Sequence, residues 1–289
     1  MYDVLIIGAG PAGVSASLYA ARSNTANVTV VSDDSSSLKR ADLIENYYGF
    51  ADPVPGAVLL EKGIAGAERL GVSFVRDEIV DIQIDPEMKF SVSSSSGITK
   101  KYDAVMIATG ASRKKPDIKG IKELEGRGVS YCAVCDAFFY KNKKVAVIGS
   151  GSYAFNEASA LSDIASQVYI ITNGDELADG IPENITVVDK KISSIEGDNR
   201  VEAVAFIDGT RLEVSGVFIA MGTAGSTELA RKVGAPVENN RIMVNEKMET
   251  AIPGLFAGGD CTGGLMQISK AVYDGAQAGL SIVRFLKSK

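Results

Sequence analysis

Two thiols three positions apart, Cys132-Ala133-Val134-Cys135, are followed at once by a carboxyl, Asp136. A pair at this spacing can close and reopen a disulfide, or it can fill two corners of a zinc site. The neighbouring carboxyl can move the proton that thiol exchange requires, or simply cap a helix. The chain contains no histidine, so proton transfer near neutral pH falls to a carboxyl, thiol, phenol or amine. Zinc would need Cys132, Cys135, the remaining Cys261 and a carboxylate, a donor set that zinc rarely takes. Buried core cysteines are the other alternative, which the Asp136 neighbour disfavours. The pair is therefore read as redox-active, with no metal.

A second pattern occurs twice. Val4-Leu5-Ile6-Ile7-Gly8-Ala9-Gly10-Pro11-Ala12-Gly13 opens the chain, and Val145-Ala146-Val147-Ile148-Gly149-Ser150-Gly151-Ser152-Tyr153-Ala154 follows the cysteine pair. Each reads as a β-branched strand, then G-x-G-x-x-G/A, then a helix. That order is what a dinucleotide site requires. The first glycine permits the tight turn and the second lets a pyrophosphate reach the backbone. The third small residue lets helix and strand pack closely, with the helix N-terminus facing the anion. Gly8, Gly10, Pro11, Ala12 and Gly13 are the first candidate cofactor residues. The acid expected some twenty residues on, for the ribose, is Asp33, with Asp34 beside it; either could equally be a solvated loop acid.

These residues need elements to carry them. The first unit reads as strand 4–7, helix 11–22 and strand 28–32. A helix at about 55–70 and strands at 72–76, 79–84 and 88–93 follow. Ser93 to Gly97 reads as a hairpin tip, and 102–110 as a buried strand ending in glycine. A linker near Lys114 leads to strand 144–148, helix 153–163, strands 167–172, 185–189, 192–195, 201–207 and 212–214, and the apolar run 217–222. That run resembles 104–110 and marks an internal duplication. Gly254 to Asp260 is a strand ending in an acid, and a helix from about 267 to 286 closes the chain. The expected fold class is α/β, with two Rossmann-like dinucleotide-binding domains (three-layer ββα), the second inserted in the first. The expected boundaries are 1–113 with 243–289, and 114–242.

The net charge of −6 over 289 residues, without a long basic block, argues against nucleic acid. No apolar run approaches a membrane span. The first strand starts almost at residue 1, which leaves no room for a leader, so a cytoplasmic location is expected. Three cysteines are too few for a disulfide framework there.

Five stretches together resemble the low-molecular-weight thioredoxin reductase family. They are Gly8 to Gly13, Ile44-Glu45-Asn46-Tyr47-Tyr48-Gly49-Phe50, Ala108-Thr109-Gly110-Ala111, Gly128 to Asp136 with Phe138-Phe139, and Ala257-Gly258-Gly259-Asp260. The resemblance implies FAD in the first domain, a homodimer, and dithiol transfer to a thioredoxin-like protein. It implies that Ala108, Thr109, Gly110, Gly259 and Asp260 complete the FAD site, Asp260 bonding a ribitol hydroxyl. Asn46 keeps its place, and the amides of Gln267 and Ile268 would reach the flavin pyrimidine edge. Met266 stands where the family has arginine, and Ser35-Ser36-Ser37 where it has Gly-Gly-Gln. Cys135 would face the flavin, Cys132 would attack the substrate disulfide, and Asp136 would protonate the leaving thiolate. Because one location cannot serve both flavin and protein, the inserted domain would have to swing. Cys261 would be a small buried residue beside FAD, or a third redox thiol.

The second domain departs from the family. Where NADPH-using members carry a basic run for the ribose 2′-phosphate, this chain reads Ile171-Thr172-Asn173-Gly174-Asp175-Glu176-Leu177. Two acids at short range would repel that phosphate by ~1 kcal/mol or more. Tyr153 and Phe155 add bulk at the second phosphate turn. The combination is most like the ferredoxin-dependent flavin thioredoxin reductase branch, with reduced ferredoxin as the expected donor. NADH as donor, and a flavin–dithiol sensor without turnover, are the alternatives. Arg113-Lys114-Lys115 and Lys141-Asn142-Lys143-Lys144 are the densest basic clusters for an acidic donor, or ordinary solvated turns.

Overall fold

The computed structural model describes residues 1–110, 116–131, 133–177, 185–221 and 225–289; the side chains of Arg40, Val134, Cys135 and Ser152 lie outside that description. The chain divides into two compact units, Met1–Arg113 with Gly225–Lys289, and Lys114–Ala224.

Unit 1 starts with β1 (Tyr2–Ile7), α1 (Pro11–Ala21), β2 (Ala26–Ser32), α2 (Gly56–Glu68) and β3 (Ser73–Arg76). An antiparallel meander follows, β4 (Ile79–Ile84), β5 (Phe90–Ser94) and β6 (Thr99–Tyr102), and then β7 (Ala104–Ile107). The sequence suggests one strand over 102–110, yet the chain changes sheets at Asp103. That residue donates its amide to Asp3 O (2.8 Å) and accepts the Asp3 amide on Oδ2 (2.9 Å), which pins the crossover.

Unit 2 holds β8 (Val129–Ser130), α3 (Ala133–Asp136), β9 (Lys144–Ile148), α4 (Ser152–Ser162), β10 (Gln167–Ile171) and β11 (Ile185–Val188). A second antiparallel meander comprises β12 (Ile192–Glu196), β13 (Ala203–Phe206) and β14 (Arg211–Glu213), before β15 (Gly216–Ile219). The chain then re-enters unit 1 through α5 (Ser226–Lys232), β16 (Val237–Glu238), β17 (Arg241–Ile242), β18 (Leu255–Ala257) and α6 (Ile268–Lys287).

The return to unit 1 therefore comes at 224/225, not at the expected 242/243. The reason is α5, which the sequence pattern does not announce. Its Lys232 side chain is fully buried and its Nζ lies 3.2 Å from Asp81 Oδ1 on β4. A buried ammonium needs such a partner, and this one belongs to unit 1.

Each unit has a five-stranded parallel sheet, in the orders β18-β7-β1-β2-β3 and β11-β10-β9-β15-β8. Strands buried on both faces read as continuous apolar runs, as Val4–Ile7 and Val145–Ile148 do. Each sheet has its own apolar core, one built on β1, α1, β2, β7 and α6, the other on β9, β13 and β15. No described helix is long and apolar enough to cross a membrane.

Candidate functional site

In unit 1 the first site forms where the C-terminal ends of adjacent parallel strands meet a helix start, the usual position of a ligand crevice in such sheets. Gly8 turns the chain at φ +109°, and its amide bonds Val31 O at 2.8 Å. A Cβ there would sit 2.4 Å from Ala108 O, so the turn must lack one. A Cβ on Gly13 would come within 1.9 Å of Gly8 O. Gly10 differs: a Cβ there would meet only Ser36 Oγ, at 3.8 Å. Its bareness keeps open space in front of the helix rather than relieving a clash. α1 starts on Pro11, which has no amide hydrogen to satisfy, and no side chain caps it. Open space beside uncapped amides fits a pyrophosphate.

Of the other cofactor candidates in unit 1, Ala108 and Gly259 touch this turn. Ala108 directly follows β7, with Thr109 exposed beyond it and Gly110 at φ +78°. A Cβ on Gly259 would lie 3.0 Å from the Ala12 Cβ, so the β18 turn touches the first turn of α1. Asp260 is half-buried and begins a short 3-10 turn, Asp260–Thr262. Asn46 Nδ2 donates to Gln267 Oε1 at 3.2 Å, joining two segments far apart in sequence. Gln267 is extended and precedes α6, which also lacks a side-chain cap and starts at Ile268; Met266 beside it is exposed. Asp33 stands at the tip of β2 as a ribose acid should. Its Oδ1, however, accepts Ser35 N (3.0 Å) and Ser35 Oγ (2.6 Å) in a local turn.

Two residues that sequence reasoning passed over hold the Gly259-Asp260 turn. Buried Asp274 accepts the Gly259 amide on Oδ2 at 2.9 Å. Lys270 Nζ lies 2.6 Å from the same oxygen and donates to Gly259 O at 2.8 Å. Their i, i+4 spacing on α6 is the only sequence signal. Cys261 is buried, its Sγ 3.3 Å from Gly258 O and 3.5 Å from Ile107 O. Burial pushes its thiol up to about 12, so it is a protonated packing residue there.

Unit 2 repeats the turn bond for bond. Gly149 N reaches Ile171 O (3.0 Å) and Ala220 N reaches Ile148 O (2.8 Å). In unit 1 the corresponding pairs are Gly8 with Val31 and Ala108 with Ile7, both at 2.8 Å. The loop after β10 differs. Thr172 Oγ1 donates to Asp189 Oδ1 (2.5 Å) and accepts the Gly174 amide (3.2 Å). Asn173 sits at φ +58° with Oδ1 accepting the Ile192 amide at 2.8 Å. At the described start of this loop, Thr172 to Gly174 bond within unit 2, and Asp175 and Glu176 are exposed. From Ile171 to Val188 the sequence has no lysine or arginine and four acids, Asp175, Glu176, Asp179 and Glu183.

The sulfur pair falls at the edge of the description. Cys132 lies outside the described residues, as does the Cys135 side chain; the Cys135 backbone belongs to α3. Around them the structure is defined. Ser130 Oγ donates to Asp136 Oδ2 at 2.6 Å. Tyr140 stands close to Asp136, and burial first, then that carboxylate, hold its hydroxyl above the ordinary phenol value. Phe138 and Phe139 are 78% and 68% exposed. The basic cluster Lys141 to Lys144 is exposed; Arg113-Lys114-Lys115 lies outside the described residues.

The pyridine nucleotide-disulphide oxidoreductase family matches residues 2–275. The thioredoxin reductase of Listeria innocua is 35% identical over 304 aligned positions, covering 99% of this chain and 94% of that protein. The chain belongs to this family, among the thioredoxin reductases. Among solved structures, the atypical thioredoxin reductase TRi from Desulfovibrio vulgaris Hildenborough superposes with a TM-score of 0.93 at 36% identity, covering 100% of this chain and 99% of that one. The ferredoxin-flavin thioredoxin reductase of Clostridium acetobutylicum gives 0.70 at 35%, with the same coverage. As a member of this family the protein is a flavin disulfide oxidoreductase whose cofactor is FAD, and the open, uncapped turn of unit 1 fits that group.

Proposed function

We propose that the protein takes electrons from reduced ferredoxin and delivers them, through FAD and the Cys132–Cys135 dithiol, to a thioredoxin-like protein, as a cytoplasmic homodimer. The loop after β10 carries the donor reading. Identity alone does not choose, because the Listeria innocua and Clostridium acetobutylicum proteins both stand at 35%. A 2′-phosphate needs cations, and this turn offers acids, while the Thr172 hydroxyl and the Gly174 amide already donate within unit 2. NADH, which lacks that phosphate, is the second reading; the intact Gly149 turn favours it.

In this reading Gly8, Gly10, Pro11, Ala12 and Gly13 receive the pyrophosphate. Ala108, Thr109, Gly110, Gly259 and Asp260 line the ribityl side, with Asp33 at the ribose. Asn46, Met266, Gln267 and Ile268 border the flavin ring. Bound FAD would supply the exchange between one-electron and two-electron chemistry. Cys135 is the sulfur that receives the electron pair. The Cys132 thiolate attacks the partner's disulfide, forming a mixed disulfide and releasing one partner thiolate, which Asp136 protonates. Cys135 then attacks Cys132, re-forming the protein disulfide and freeing the second partner thiolate. Ser130 orients Asp136 for this transfer.

Anaerobic reduction of the yellow protein decides between donors. Bleaching by reduced ferredoxin but not by NADPH or NADH, followed by thioredoxin reduction, is the expected result. Bleaching by NADH would replace ferredoxin as donor. Thioredoxin reduction that persists in Cys132→Ser would remove the dithiol from the pathway.

A further inference from the structure

The helix that follows the second phosphate turn is tied to the redox segment at two places. Tyr153, in the first turn of α4 and 2% exposed, donates its hydroxyl to Tyr131 O at 3.2 Å. Glu157, one turn later and 1% exposed, accepts the Ala133 amide on Oε2 at 2.6 Å. Residues at i and i+4 share a helix face. Their two partners are the backbone groups immediately before and after Cys132 in the chain. A carboxyl buried this deeply needs strong donors, and the Ala133 amide is one of them.

We propose that Glu157 is a positioning residue of the Cys132–Cys135 couple, which keeps the couple reducing by engaging the Ala133 amide, on the peptide that follows Cys132 in the chain, with a carboxyl group. This rests on reading the pair as the redox couple. A thiolate is stabilised by amide donors and by positive charge and destabilised by a neighbouring anion. A couple whose reduced form is stabilised becomes more oxidising. Glu157 takes up the Ala133 amide and brings a carboxyl group to this segment, so it disfavours the dithiolate form and pushes electrons outward. Asp136, held by Ser130, is the other carboxyl on this segment, and Tyr131, Tyr140 and Tyr153 are its phenols. Tyr153 is the second anchor and brings a phenol rather than a carboxyl.

The test is a thiol–disulfide titration of the holoenzyme in anaerobic glutathione buffers. One protein disulfide and two glutathione thiols give one protein dithiol and one glutathione disulfide, and alkylation with mass counting scores the product. In Glu157→Ala the equilibrium constant is expected to move about tenfold toward the dithiol, which for two electrons is about 30 mV. Glu157→Gln keeps the acceptor and the shape but loses the charge, and is expected to move the same way by a smaller factor. Tyr153→Phe is expected to stay within about twofold of the parent. If both Glu157 variants, folded and yellow, match the parent, or shift toward the disulfide, the proposal fails. A parent protein that shows no two-thiol transition would instead sink the reading of the cysteine pair itself.

Discussion

Glycine is present in the first phosphate turn for two different reasons, and substitution separates them. A Cβ on Gly13 would collide with backbone at 1.9 Å, whereas one on Gly10 would meet nothing nearer than 3.8 Å. Gly13→Ala is therefore expected to misfold or to lose ~3 kcal/mol, the upper range for overpacking. Gly10→Ala is expected to keep its circular dichroism and melting temperature within a few degrees while losing FAD affinity about tenfold or more. Equilibrium dialysis of the apoprotein reads that loss; unchanged affinity would mean the pyrophosphate does not approach Gly10. Cys261 gives a second test at this scale. With its thiol pushed up to about 12, about one molecule in ten thousand is thiolate at pH 8. Iodoacetamide is expected to label two thiols in the reduced native protein and three after denaturation. Labelling of Cys261 should rise about tenfold per pH unit while the fold holds. The Gly8–Gly13 and Gly259-Asp260 turns were legible as backbone features because their spacing is local. Asp274, Lys270 and Glu157 were not, because each acts on a segment that only the fold brings near.

The strands and long helices were legible for a related reason. Val4–Ile7, Val145–Ile148 and the 268–287 helix carry unbroken apolar or 3.6-residue patterns over their own length. What escaped is short or depends on a partner elsewhere: α5, the β16–β17 hairpin and the sheet change at Asp103. The α1–α6 contact shows how such dependence bears on the site. A Cβ on Gly275 would lie 2.2 Å from Ala12 O, and one on Gly279 2.6 Å from Ala16 O. The two helices therefore touch backbone to side-chain-free backbone, and Ala12 also belongs to the phosphate turn. Gly275→Ala must push α1 away from α6. It is expected to cost about 1–3 kcal/mol and to lower FAD retention together with the melting temperature. Gly66→Ala on α2, where a Cβ meets nothing within 4 Å, is the control and should be neutral or slightly stabilising. Equal FAD retention in the two variants would show that the helix contact does not support the cradle.

At the scale of the whole molecule, charge bears on the proposed ferredoxin donor. The chain carries a net charge of −6, so an acidic ferredoxin would be repelled unless a local basic surface redirected the encounter. Lys141, Lys143 and Lys144 are exposed, and Lys143 is already committed, its Nζ donating to Phe139 O at 3.0 Å. That leaves Lys141 and Lys144 as the pair to reverse without disturbing a described hydrogen bond. In Lys141→Glu/Lys144→Glu, stopped-flow flavin reduction by ferredoxin is expected to slow about tenfold at low ionic strength, and the difference from the parent should shrink as salt screens the surface. Flavin reduction by dithionite, a small molecule that needs no docking face, should be unchanged, which separates a docking defect from a damaged flavin site. A double variant as fast as the parent at every ionic strength would move the donor surface away from this cluster. The acids of the loop after β10 are expected to be silent in the same assay: Asp175→Lys should leave ferredoxin rates within about twofold and should not confer bleaching by NADPH. One added cation does not reopen a turn whose Thr172 and Asn173 already bond within unit 2.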